Sequence, residues 1–186
     1  MSLIIGLGHK AQVGKDTIGE YLVKSHGFQR LAFADNLKDG AREIFGFDED
    51  QLYGDLKEVV DEYWGFTPRW ALQMFGTDAM KPVFGEDIWV RSLGRLAMRY
   101  AGSGIPVVIT DLRFHEEAEA IKTWGGFVVK VSRPSREVIA TSQHRSETAL
   151  DDFKNWDLIV NNIGTIPELW QASLSMLDRL REKNGE

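Results

Sequence analysis

The run Leu3-Ile-Ile-Gly-Leu-Gly-His-Lys-Ala-Gln-Val-Gly-Lys-Asp-Thr17 constrains the fold more than any other stretch of the chain. An apolar segment of strand length leads into a polar, glycine-bearing loop. Gly14-Lys15 then opens a stretch with helical spacing, with Ile18, Tyr21 and Leu22 on one face. In such a strand–loop–helix unit, successive backbone N–H groups form a concavity that the positive helix end reinforces, so the loop suits an anion. Gly14 lets the backbone approach phosphate oxygens, and Lys15 has the reach for the outer phosphates of a nucleotide. The expected contacts of this loop are Gly8, Lys10, Ala11, Gln12, Val13, Gly14, Lys15, Asp16 and Thr17. Two positions depart from the pattern G-x-x-x-x-G-K-[ST]. His9 stands where the first glycine falls, with Gly8 just before it. Asp16 replaces the usual hydroxyl residue, with Thr17 one step later. A carboxylate at that point suits Mg²⁺, directly or through water, because hard oxygen ligands match the ion. The plainer reading is a glycine turn with Asp16 as a helix N-terminal charge; the strand–loop–helix context favours the phosphate loop.

Strand-length apolar runs fall at residues 3–7, 28–33, 106–110, 127–131 and 157–160, and helical patterns lie between them. Those helices are expected over residues 15–26, 34–45, about 86–100, 115–124 and 166–180, with Pro68 in a first helical turn before Ala71, Leu72 and Phe75. Gly94 weakens the helix at about 86–100 by about 1 kcal/mol relative to alanine. The alternation predicts an α/β fold, a parallel sheet with helices on both faces and ligands at the carboxyl ends of the strands.

At 186 residues the chain is expected to form a single domain. Its charge of −6 argues against broad nucleic-acid binding. The lack of cysteine excludes disulfides and cysteine-liganded zinc. The first residues carry no basic region and read as a strand instead of a signal peptide, and no apolar run spans a bilayer. A soluble, cytoplasmic protein with no membrane partner is the expectation.

The other polar clusters follow the strands. Asp35 or Asn36 can cap the helix after the second strand, and Lys38 can meet an acceptor phosphate, although a helix cap with a solvated lysine explains them equally. Arg69 lies at a helix start, where the macrodipole disfavours a cation. That makes sense if Arg69 faces a bound phosphate; a surface ion pair is the alternative. In Val107-Val-Ile-Thr-Asp-Leu-Arg113 an apolar strand ends on Asp111, as a magnesium-side aspartate does, with Arg113 at the same sheet edge. A structural Asp111–Arg113 pair would also satisfy the cost of burying them. After the fourth strand come Arg133 and Arg136, then His144 and Arg145. Arginines there can close over a transferred phosphoryl group and neutralise its charge.

Taken in order, Gly14-Lys15-Asp16-Thr17, Leu31-Ala-Phe-Ala-Asp35, Tyr53-Gly-Asp-Leu-Lys-Glu58, Pro68-Arg69, Gly76-Thr77, Asp87-Ile-Trp89, Thr110-Asp-Leu-Arg-Phe114, Glu116-Glu-Ala-Glu-Ala-Ile121, Gly125-Gly126 and Ser146-Glu147 closely resemble the deoxynucleoside monophosphate kinases, best known from bacteriophages. The resemblance runs from Leu3 to about Leu177. It implies a nucleoside-monophosphate-kinase-like P-loop fold with a five-stranded parallel sheet, an acceptor-binding region at about 34–100 and a lid at about 132–147. It also implies ATP as co-substrate with Mg²⁺, transfer of the γ-phosphoryl group to a deoxynucleoside monophosphate, and a possible homodimer. Position by position, Lys15 and the loop amides would hold the ATP phosphates. Asp16 and Thr17, with Asp111, would lie at the magnesium. Asp35, Lys38, Arg69, Asp111 and Arg113 would face the acceptor. Lys15, Arg113, Arg133 and Arg136 would be the catalytic cations, the last two as lid arginines. Competing readings are another small-molecule kinase on this fold, such as a dephospho-coenzyme A kinase or a sugar-acid kinase, and a non-catalytic nucleotide-binding module.

Overall fold

In the computed structural model, which describes residues 2–134 and 148–185, five strands form one sheet. They are β1 (Ile4–Gly8), β2 (Gln29–Leu31), β3 (Val107–Leu112), β4 (Phe127–Ser132) and β5 (Leu158–Asn161). All pairings are parallel, and the spatial order is β2-β3-β1-β4-β5. β1 is therefore central and buried along its length, which is why its sequence is continuously apolar where an exposed-face strand would alternate. The five expected strands are all present, each within a few residues of its sequence-based bounds. The second is shorter than expected at three residues, because the chain leaves the sheet edge after Leu31.

The chain divides into two compact units, one made of Met1–Ala32 with Gly94–Glu186 and the other of Phe33–Leu93. The first unit contains the whole sheet. Helix α1 (Lys15–His26) and the last helix, α8 (Ile166–Asn184), share a core with it. Ile5, Leu7, Ile18, Leu22, Val129, Leu177 and Leu180 lie in that cluster, each almost inaccessible to water. α8 starts at a capping box, in which the Glu168 carboxylate accepts from the Thr165 N–H (2.7 Å) and hydroxyl (2.8 Å). Helix α7 (His115–Thr123) follows β3, and its Ile121 packs over Gly6, where an added Cβ would stand 2.5 Å from the isoleucine Cδ1.

The Phe33–Leu93 unit holds α2 (Asp35–Phe45), α3 (Glu49–Tyr53), α4 (Pro68–Gln73) and α5 (Met80–Phe84) around Ala41, Phe47, Leu52, Ala71 and Leu72. A short 3₁₀ turn at Asp55–Glu58 and a π-helical turn at Met74–Ala79 complete it. The sequence pattern did not predict α3, whose five residues are too few for helical periodicity. It is specified by a local device instead: Asp48 accepts from the Gln51 N–H (2.9 Å) while the Gln51 side chain accepts from the Asp48 N–H (3.0 Å). Helix α6 (Ile88–Gly102) begins in this unit and ends in the other.

Candidate active site

The carboxyl end of β1 runs into loop 9–14, and α1 starts directly after it. Gly8 must lack a side chain, since a Cβ there would lie 2.8 Å from the Trp156 ring and 2.9 Å from Leu112. Gly14 has φ 106°, a left-handed conformation that favours glycine, and a Cβ would meet the Asn162 amide at 2.7 Å. Two other loop residues, His9 (φ 93°) and Gln12 (φ 58°), hold positive φ without being glycine. Lys15 is 94 % buried, leaving 6 % exposed, and its ammonium donates to the His9 carbonyl (3.1 Å) and to the Lys10 carbonyl. A buried ammonium is costly unless its donors are used, and the loop carbonyls accept from it and hold the side chain in place.

The loop is fastened from the far end of the chain. Asn162, buried just past β5, donates from Nδ2 to the Val13 carbonyl at 2.9 Å. No sequence signal singled it out, because an asparagine after a strand reads as a turn residue. Only the sheet order, which sends the chain from β4 to β5, shows its position.

Beside this loop lies a cavity of about 370 Å³. Gln12, Gly14, Lys15, Asp16 and Thr17 line it from the loop and the first turn of α1, Arg133 from the end of β4, and Asn162, Gly164, Ile166 and Leu169 from the β5–α8 connection. The structure thus brings five expected loop residues to one cavity with the expected lid arginine Arg133, over a hundred positions away in the chain. Arg136, like most of the expected lid and His144, Arg145, Ser146 and Glu147, lies outside the described residues.

Asp111 is the fifth residue of β3, next to Leu112, which is in register with Gly8 of β1; the end of β3 and the start of the phosphate loop are therefore adjacent. The turn that carries Arg113 is held from below. Glu117, 9 % exposed, accepts through one carboxylate oxygen from the Arg113 N–H (2.8 Å) and the Phe114 N–H (3.1 Å). Burial pushes the Glu117 carboxyl up to about 8; the Arg113 N–H opposes this and the nearby Asp111 charge adds to it. Sequence reading missed Glu117 as well, since a glutamate in the first turn of a helix is ordinary.

The remaining expected residues fall in the Phe33–Leu93 unit. Asp35 is the first residue of α2, and the Lys38 ammonium sits 3.5 Å from the centroid of the Tyr53 ring. The Tyr53 phenol is raised by burial and then by the Asp35, Asp39 and Glu49 carboxylates. Arg69, directly after the N1 proline of α4, pairs through Nε with Glu58 on the surface. This is the ion pair weighed above as the alternative for that arginine. Burial and the Arg69 charge lower the Lys57 ammonium.

Among the described residues no group of three or more His, Asp or Glu side chains forms a metal cage. Mg²⁺ is usually held by one or two carboxylates, with water and phosphate oxygens as its other ligands. Asp16 and Thr17 supply hard oxygens in the cavity that also holds Lys15, so the residues fit the ion.

A family model described as deoxynucleotide monophosphate kinase matches residues 43–172. The chain belongs to the deoxynucleotide monophosphate kinase family. A relative from Acanthamoeba polyphaga mimivirus is 34 % identical over 195 aligned positions, covering 98 % of this chain and all of the relative, and carries a provisional assignment as a deoxynucleotide monophosphate kinase. The deoxynucleotide monophosphate kinase of Escherichia phage RB69 is 30 % identical over 122 positions, covering 63 % of this chain and 48 % of the phage protein. Among solved structures, the dephospho-CoA kinase of Campylobacter jejuni superposes with a TM-score of 0.61 over 99 % of this chain and all of that one, at 14 % identity. A shikimate kinase from Aquifex aeolicus gives 0.51 over 95 % and 96 %, at 13 % identity. These likenesses show the P-loop kinase fold. This deoxynucleotide monophosphate kinase family member is accordingly a phosphotransferase with the expected α/β fold. Among the described residues, no helix is long and apolar enough to cross a membrane.

Proposed function

We propose that this kinase transfers the γ-phosphoryl group of ATP to the 5′-phosphate of a deoxynucleoside monophosphate, giving the diphosphate and ADP. The observation that carries the reading is the single cavity in which Lys15, the loop backbone, Asp16, Thr17 and Arg133 converge, in a chain of this family. A dianionic acceptor phosphate is already nucleophilic, so the reaction asks for position and charge neutralisation, and no general base is needed. Lys15, aimed by the His9 and Lys10 carbonyls, would bind the β- and γ-phosphates, and the loop N–H groups would hold the β-phosphate. Arg133 would neutralise charge that develops on the transferred group, with Arg136 in the same role. Asp16 and Thr17, with Asp111 at the neighbouring strand end, would hold Mg²⁺, which supplies further charge neutralisation across the phosphates. Arg113 and Asp35, Lys38 and Arg69 are assigned to the acceptor; for Arg69 this requires exchanging Glu58 for the substrate phosphate.

Two outcomes of one assay decide the substrate. ADP release is measured with Mg·ATP and a panel of deoxynucleoside monophosphates, ribonucleoside monophosphates, dephospho-coenzyme A and gluconate. Turnover with the deoxynucleotides above their ribose counterparts supports the proposal. Turnover only with a non-nucleotide acceptor overturns the substrate and keeps the fold.

A further inference from the structure

His9 occupies the position where the generic loop has its first glycine, and it keeps the backbone such a glycine would allow, with φ 93°. A residue with a β-carbon is strained in that region and persists there only where surroundings enforce it. The surroundings here include one carboxylate. Asp151 Oδ1 lies 3.3 Å from Nε2 of the buried His9 ring and 3.4 Å from Nζ of Lys10. The main-chain carbonyls of the same two residues receive the Lys15 ammonium. One carboxylate oxygen therefore fixes the side chains of the two residues whose carbonyls aim Lys15.

Asp151 is itself on a fixed base. Its neighbours Leu150 and Phe153 are buried, and its N–H donates to the Thr148 carbonyl at 3.0 Å. Its own side chain is 45 % exposed, so solvent screens the contact and its value to overall stability is small. A weak contact that adds little stability can still hold a geometry, and geometry is what phosphoryl transfer depends on.

We propose that Asp151 is a positioning residue of the phosphate loop: through His9 and Lys10 it sets the pair of carbonyls that orients Lys15 toward the donor phosphates. The inference deepens the kinase reading above and rests on it for the role of Lys15. It also explains how a histidine is accommodated at a glycine position. The imidazole is tethered, and the tether replaces conformational freedom as the means of keeping the turn.

The test uses the full chain and four variants: Asp151→Ala, Asp151→Asn, His9→Gly and the double variant His9→Gly/Asp151→Ala. Mg·ATP affinity is read calorimetrically without acceptor, and kcat and both KM values are read where turnover is present. Asp151→Ala should weaken Mg·ATP binding and lower kcat by about tenfold each while leaving the acceptor KM unchanged, because a displacement well under 1 Å at the reacting centre has effects of that order. Asp151→Asn keeps an oxygen that can accept from His9 and should recover most of the loss. In the double variant the two effects should be less than additive, since both changes cut the same tether. Wild-type ATP affinity and kcat in Asp151→Ala would overturn the proposal. So would equal loss of donor and acceptor affinity with a lowered melting temperature, which marks a merely structural residue, and so would full additivity. If the wild type shows no acceptor-dependent turnover, the substrate reading fails on its own, and the ATP-binding comparison still decides the role of Asp151.

Discussion

At the scale of single residues, two buried ionisable groups with opposite consequences sit in the first turns of α1 and α7, the helices that follow β1 and β3. Lys15 is buried but has loop carbonyls as acceptors and, in the proposed reaction, phosphates as ligands. Lys15→Ala should abolish ADP production while leaving the far-ultraviolet circular dichroism and the melting temperature close to wild type; an active variant would remove the central element of the mechanism. Glu117 is buried as an acid whose neutral form the fold favours. Its carboxyl stands near 4.5 when unfolded and is pushed up to about 8 in the folded chain, so between those values the native state binds more protons than the unfolded one. Stability contributed by this group is complete below about 4.5 and is lost as pH rises through about 8. Both its hydrogen bonds go to one oxygen, an arrangement a glutamine carbonyl can reproduce. Glu117→Gln should therefore flatten the decline in stability between about pH 4.5 and pH 8, roughly a few kcal/mol at the upper end, as read from denaturant titrations. An unchanged pH slope in the variant would mean that the carboxyl is ionised throughout.

At the scale of elements, the clearest conflict between propensity and packing lies in α6. Gly94 in mid-helix costs about 1 kcal/mol relative to alanine on intrinsic grounds, and sequence reasoning treated it as a weakness. The fold gives it a reason. A Cβ at Gly94 would stand 2.4 Å from the Trp124 ring at the end of α7, so the indole packs directly on the helix backbone. A rigid ring cannot yield as the tip of a flexible side chain can, and overpacking of this kind costs about 1–3 kcal/mol. Gly94→Ala should thus destabilise the protein in urea melts despite raising helix propensity; a gain in stability would show that Trp124 moves freely. Apart from α2, which was expected over 34–45 and spans Asp35–Phe45, the elements of the Phe33–Leu93 unit were the least legible in advance. Their helices are short, and they are set by local devices such as the Asp48–Gln51 capping box, the Thr67 cap with Pro68, and aromatic contacts of Phe45 with Phe47, Trp64, Phe66 and Phe75. None of these produces a periodic pattern. The π-helical turn at Met74–Ala79 ends α4 after Gln73, before the Phe75 that the periodic reading carried into the same helix. The strands of the sheet unit, by contrast, showed as apolar runs, and its long helices carried their periods openly.

At the scale of the whole molecule, the phosphate-loop cavity is built within the unit that contains the sheet, from β1, α1, the end of β4 and the β5–α8 connection. Ligand binding there should stabilise that unit by mass action. Mg·ATP at about a hundredfold excess over its Kd is expected to add about 2.7 kcal/mol, measurable as a rise in the thermal midpoint that depends on nucleotide concentration. Lys15→Ala should lose most of that rise. A rise that survives the substitution in full would put the nucleotide elsewhere.

The sequence by itself determined the strand–loop–helix unit at Leu3–Thr17, the alternation that makes a parallel sheet, and the identity of Lys15, Asp16 and Thr17 as loop residues, because each is a local pattern with a local physical cause. A central strand must be apolar throughout, and a phosphate loop must offer glycine and lysine at fixed spacing. Which distant groups complete the site was decided only by the tertiary structure. Asn162 holds Val13, Asp151 meets His9 and Lys10, and Arg133, expected in the lid, shares the cavity of the loop. These three are joined to their partners by strand order and register. A parallel sheet with the order β2-β3-β1-β4-β5 brings the ends of β3 and β4 to either side of β1, and no spacing along the chain encodes that adjacency.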